Sequence, residues 1–154
     1  MMMQRRVQDP TKDIVNTDKW DGNPAARTRL LQAAVDRKVT GLVAVTGDIH
    51  RAYAGNLKVD FDNASDAPIG VELVASSISS GGDEKVNAEA TLQGLVKANP
   101  HFRFFDARRG YVVCDFEKDR CEATFRAVES VATPNAPVST IKTFEFEAKR
   151  QGLA

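Results

Sequence analysis

The run Leu42-Val43-Ala44-Val45-Thr46 has few places to go in a folded chain. Its four consecutive apolar residues do not alternate with polar ones, so a strand here has no face for water and reads as an interior strand covered on both sides. Just upstream, residues 24–36 carry helix signals. Asn23 stands at a capping position, Pro24 suits the first helical position, and Ala26, Leu30 and Ala34 recur on one face. Arg37 and Lys38 complement the negative end of that helix. A second unalternating run, Val71 to Ser76, reads as another buried strand. Helix followed by buried strand implies α/β layering.

From Arg109 onward the texture changes. "YVVCDF", "CEATFRAV" and "TIKTFEFEA" are short strands with partial period-2 alternation, which places antiparallel structure in the last third and sets Phe144 and Phe146 on one face. The first two of these should pair across "EKD", making Cys114 and Cys121 neighbours on adjacent strands. Two cysteines are too few for a disulfide framework and lack zinc-finger spacing. Between the halves, "SSISSGG" (76–82) reads as a loop and "NAEATLQGLVKAN" as a short helix ended by Asn99-Pro100. The fold class that follows is a mixed α/β domain with antiparallel strands towards the C-terminus.

Charge narrows the function classes. With 21 Lys plus Arg against 21 Asp plus Glu, the chain has no electrostatic case for nucleic acid or an anionic membrane, whereas a small phosphate-bearing molecule remains compatible. No apolar run approaches the ~20 residues that span a bilayer, and "MMMQRRVQDPTKD" lacks the apolar core of a secretory signal. As written, the chain reads as soluble and unexported.

The strand at 42–46 runs directly into Gly47-Asp48-Ile49-His50. In extended chain, residues two apart share a face, so Asp48 and His50 can point together while Ile49 points back into protein. A carboxylate and an imidazole at the carboxyl end of a buried strand suit zinc, iron or manganese, and the oxygen alone suits calcium. The other reading is structural, with Asp48 accepting loop amides and His50 satisfied by hydrogen bonds. Trp20 can wall a pocket or plug a core edge. Arg108 and Arg109 can fork onto phosphate or form a solvated face. His101, between Asn-Pro and "FRFF", reads as structural.

Five blocks carry a further signal: "NTDKWDG" (16–22), "VTGDIH" (45–50), "GVELVASSISSGG" (70–82), "NPHFRFFDARRGYVVCDF" (99–116) and "ATPNAPVSTIKTFEFEAKRQGL" (132–153). In order and rough spacing they resemble the C-terminal part of PhoD-type alkaline phosphatases. The resemblance implies a metallophosphatase-type α-β-β-α sandwich with two mixed sheets, of which residues 16–154 form the C-terminal part behind an irregular segment at 1–15. It implies hydrolysis of phosphomonoesters and phosphodiesters at a multinuclear site holding iron and calcium, in an extracytoplasmic enzyme.

Carried over residue by residue, the family's Gly-Asp-Val-His falls on Gly47, Asp48, Ile49 and His50, making Asp48 and His50 candidate metal ligands. Trp20 and Asp21 match the family's Trp-Asp-Gly-Tyr, which ends here in Asn23 rather than an aromatic. With Arg108 and Arg109 they make up the candidate substrate-binding set. The family's other ligands, including a bridging aspartate and a cysteine on iron, lie upstream of the "NTDKWDG" block, and only 15 residues precede Asn16 here. Neither Cys114 nor Cys121 matches that cysteine. The expectation is a phosphoric ester hydrolase part, inactive alone and suited either to a missing N-terminal portion or to self-association. The alternative is a non-catalytic structural or interaction domain.

Overall fold

The computed structural model describes residues 1–6, 16–83 and 86–153. Among the described residues, seven strands build two sheets, accompanied by two α-helices and one 3-10 turn, Trp20–Gly22. The helices are α1 (Pro24–Asp36) and α2 (Ala88–Ala98), and the strands are β1 (Leu42–Thr46), β2 (Ala52–Leu57), β3 (Gly70–Val74), β4 (Phe102–Asp106), β5 (Gly110–Phe116), β6 (Arg120–Val128) and β7 (Val138–Glu147). The first sheet has the order β1-β3-β2-β4, with β1 parallel to β3 and the other pairings antiparallel. The second, β5-β6-β7, is wholly antiparallel, so one sheet is mixed rather than two.

Strands β2 and β3 are buried at every position. Side chains on one face of this pair, Tyr53, Leu57 and Val74, join Leu31, Phe102 and Phe105 in a core beneath the helices. The alternate residues Ala52, Ala54, Val71 and Leu73 pack against Cys121, Ala123, Phe125 and Phe146 of the second sheet. The period-2 geometry of a strand thus feeds two cores at once. The described residues stack as helix, sheet, sheet. The outward residues Tyr111 and Val113 of β5 stay exposed.

Strand β1 departs from the expectation of an interior strand. It lies at the edge of its sheet, with Val45 55% exposed. An unalternating apolar run states that both faces want cover, but does not state that cover is present in the same chain. Helix α1 has the expected bounds but a different inner face. Arg27 and Leu31 are its buried residues, and Leu30 is 49% exposed. Asn23 holds the cap position without a side-chain hydrogen bond, whereas Asn87 caps α2 by accepting from the Ala90 amide.

Residues 1–6 form neither helix nor strand, yet they are bound closely to the sheet. The remainder of the irregular segment expected at 1–15 lies outside the described residues. A segment without regular structure must find other partners for its backbone groups, and here side chains supply them. The Met2 and Met3 amides donate to the two oxygens of Glu72 at 2.7 and 2.6 Å. Arg5 N donates to Asp21, and His101 Nε2 meets the Gln4 carbonyl at 2.7 Å. Asn99 acts as a substitute peptide group, accepting from Arg6 N and donating to Arg6 O. Asn56 does the same for Leu153 near the other end. Met3 packs over Gly55, where an added Cβ would stand 2.5 Å from its sulfur.

Burial lowers the His101 pKa to about 4, the Gln4 carbonyl opposing that shift by hydrogen bonding. The structural reading of this residue holds. In the unfolded chain the imidazole takes up a proton near its ordinary pKa of about 6.5, while the folded chain resists until about pH 4. The stabilisation is therefore complete above pH 6.5 and is lost as the pH falls towards 4. Urea titrations should show the stability difference between the parent chain and His101→Gln narrowing by about 1.4 kcal/mol per pH unit between pH 6 and 4.5. A constant difference would mean that the imidazole is not held neutral.

Candidate functional site

Because β1 and β3 are parallel, their carboxyl ends share one edge of the first sheet, with Thr46 opposite Val74. The loops that leave them, 47–51 and 75–83, open on the same side. Arg109 joins the two, its Nη1 donating to the carbonyls of His50 (2.7 Å) and Ser80 (3.0 Å). Its Nη2 donates to the Ala107 carbonyl at 2.6 Å. Asp83 then ties the second loop to residues 130–131 through the Ser130 hydroxyl and the Val131 amide. Those bonds hold its carboxyl below the usual carboxylate range.

Asp48 and His50 are exposed in the first loop, and Ile49 between them packs against the helical core. The local geometry is not the extended one assumed from their spacing. Strand β1 ends at Thr46, and both residues adopt left-handed backbone conformations, Asp48 at φ 68° and His50 at φ 59°. Non-glycine residues take this region at a cost, and two so close together mark a turn fixed by its surroundings. Among the described residues no group of three or more His, Cys, Asp or Glu side chains is placed to hold a metal ion. Asp48 and His50 offer a donor set that suits a hard or borderline cation, but two donors are half of a four-coordinate site at most. A centre built on them needs ligands from elsewhere.

Lys19, which sequence reasoning passed over, lies within electrostatic reach of Asp48. Desolvation and then the charge of Arg5 lower its pKa, while Asp21, Asp18 and Asp48 oppose the shift. No periodicity marks it, and only its place beside Trp20 hinted at a role. Lys19 and Trp20 line an open groove of about 570 Å³ with Met1, Thr17, Asp18, Asn23 and Ala26. Asn23, standing where an aromatic was expected, is at the rim of this groove.

The remaining candidates are committed to partners. Asp21 is buried in an ion pair with Arg27 at 2.6 Å. That pair is extended by Arg27 donating to the Met2 carbonyl and to Gln4. Arg108 is held against Asp106 by Nη2 at 2.8 Å and Nε at 3.1 Å. Arg109 is 2% exposed, not a solvated arginine. Cys114 and Cys121 are free thiols. Phe116 is the residue opposite Cys121, so the two sulfurs sit diagonally on one face of the hairpin. Burial, followed by the neighbouring Cys114, pushes the Cys121 thiol up to about 11, which leaves it protonated and unreactive at neutral pH.

Comparison with known proteins identifies the fold and the family. A family described as PhoD-like phosphatase matches residues 1–125. Alkaline phosphatase D of Bacillus subtilis (strain 168) is 36% identical over 140 residues, which cover 91% of this chain and 24% of that protein. A solved structure described as "Structure of PhoD" superposes with a TM-score of 0.87 at 33% identity, over 96% of this chain and 28% of the other. The chain thus spans about a quarter of the length of the relatives it matches.

The Asp21–Arg27 pair anchors the turn that presents Trp20, which makes it open to test. Arg27→Met should leave the Asp21 carboxylate buried without its cation, at a cost of about 3–5 kcal/mol in urea unfolding. Trp20 is the single tryptophan, so its emission should shift to the red under native conditions as the turn loosens. A cost below about 1 kcal/mol with unchanged emission would show that the pair does not hold the groove.

Proposed function

This chain belongs to the PhoD-like phosphatase family, and on that basis we propose that it is the C-terminal part of a metal-dependent phosphoric ester hydrolase, contributing Asp48 and His50 to a metal centre completed by the rest of such a domain. The observation that carries the reading is the placement of two exposed donors in one fixed turn, at the carboxyl edge of the parallel pair β1 and β3. Ligands collect at such edges because loops there converge on one side of a rigid sheet.

The metals proposed are iron and calcium, with an imidazole suited to the first and a carboxylate oxygen to both. Bound there, they would activate a water and neutralise charge on the transferring phosphoryl group. The chain's own residues bind and orient. Asp48 and His50 offer a carboxylate oxygen and a ring nitrogen, and Lys19 lines the groove within electrostatic reach of Asp48. Trp20 offers an aromatic wall for the leaving group of a phosphomonoester or phosphodiester. Asp21 supports that wall from beneath through Arg27. Arg108, half exposed though paired with Asp106, is the arginine of the two that a phosphate could reach from solvent. An extracytoplasmic location belongs to the same proposal.

The partner that fits is the upstream remainder of a PhoD-like domain. The open edge of β1, where Val45 is exposed, carries no proline or charge that would guard it against an added strand. Phe116, 58% exposed, lines a groove that also contains Val43. An upstream part would cover this apolar surface, and without it two copies of the chain would associate through the same edge.

The experiment is complementation. The chain alone, supplied with iron and calcium, should hydrolyse p-nitrophenyl phosphate and its bis-ester at background rate. Mixing it with the separately produced upstream three-quarters of the Bacillus subtilis relative should give turnover, and Asp48→Asn or His50→Ala should abolish it. Metal-dependent turnover by the chain alone, lost in Asp48→Asn, would show that the site is complete in itself. Association without turnover would favour the non-catalytic interaction domain.

A further inference from the structure

The loop that carries Asp48 and His50 is held by a residue 59 positions away from His50. Arg109 lies in the link between β4 and β5, where the chain passes from the first sheet to the second. Its main chain is fixed on both sides. The Gly110 amide donates to the Ser77 carbonyl at 3.1 Å, and the Val128 amide donates to the Arg109 carbonyl at 2.9 Å. From that rigid base the buried guanidinium reaches carbonyls in three segments, those of His50, Ser80 and Ala107. A planar fork of donors that cannot deprotonate suits such an arrangement, whereas a lysine's compact ammonium does not reproduce it.

The His50 carbonyl is gripped while its side chain remains exposed. Ile49, half-buried against the helical core, holds the turn one residue earlier. The left-handed conformation of His50 therefore has a visible cause, since the anchored carbonyl sets the peptide plane and the imidazole is turned away from the protein. The other loop is shaped for the same contact. Gly81 has φ +82°, and a Cβ there would stand 3.3 Å from Arg109 Nη1.

We propose that Arg109 is the positioning residue of this site: by fixing the His50 main chain from the joint between the two sheets, it sets the direction in which the imidazole meets a cation. This rests on the reading of Asp48 and His50 as metal donors. It assigns Arg109 to the geometry of the donors rather than to the phosphate.

Isotope-labelled chain titrated with Mn²⁺ tests it, with two readouts by nuclear magnetic resonance. One is the His50 backbone angle from three-bond couplings and local Overhauser effects, and the other is the Mn²⁺ concentration that half-broadens the His50 ring protons. In Arg109→Met the His50 φ should leave the positive region and the half-broadening concentration should rise about tenfold, as for other partners that orient metal ligands. Arg109→Lys should fall between. Gly81→Ala, which crowds the guanidinium while leaving residue 109 intact, should move both readouts in the same direction and keeps the test open if Arg109→Met does not fold. His101→Gln, a destabilising change on the helical side, should move neither. An Arg109→Met chain that retains positive φ at His50 and the parent Mn²⁺ midpoint would overturn the proposal. If the parent chain shows no Mn²⁺ broadening at His50, the two donors do not hold a cation without ligands from elsewhere, and the backbone readout by itself decides whether Arg109 positions His50.

Discussion

The backbone of residues 1–6 has to find hydrogen-bond partners against a buried sheet, and much of the helical side of this protein is organised by that requirement. Glu72, 0% exposed in the middle of β3, is the clearest consequence. Left alone, a carboxylate in that position would carry a desolvation cost of several kcal/mol. Two amides and the Thr46 hydroxyl surround it instead. Each partner is bound because the other would otherwise be orphaned, and losing one side strands the other. The same reciprocity governs Asp21 with Arg27 and Arg5 N, Asn99 with Arg6, and His101 with Gln4. These polar residues lie beside the aromatic cluster of Tyr53, Phe102 and Phe105. An extended segment can therefore form part of a core without being a strand.

That arrangement places the proposed metal-binding end of the molecule at the border of two regimes. Behind the site the pairing of β1 with β3 and the grip of Arg109 hold the loops firmly. In front of it Asp48, His50 and the Trp20 groove are open. A rigid back and an open front suit the proposed docking of an upstream part. The exposed apolar residues of β1 and the β5–β6 hairpin are consistent with the same account.

Helix α1 was legible in the sequence to the residue, because Pro24 and the polar run after Val35 mark both ends locally. The face it buries was not. Counting only apolar residues selected Leu30, whereas the inner position is held by Arg27, a charged residue whose burial depends on Asp21 six positions earlier. Hairpin β5–β6 was legible because alternation and a polar link are local signals. The edge position of β1 was not, since an apolar run reports the demand for cover and not its supply.

The site divides in the same way. Sequence alone determined that Asp48 and His50 stand just past a strand end with an apolar residue between them, and that five blocks follow a known order. It also determined both helices, β1, β3 and the strands after Arg109, because helix caps, alternation and turn residues act within a few positions, but it did not mark β2 or β4. Only the tertiary structure decided that both residues are left-handed, that Arg109 holds one of them, and that residues 1–6 are bound to the sheet with Met3 in the core. Those facts depend on hydrogen bonds between residues 59 to 93 positions apart. Such a bond is formed only when the sheet order brings its two ends together, and no local pattern encodes that order.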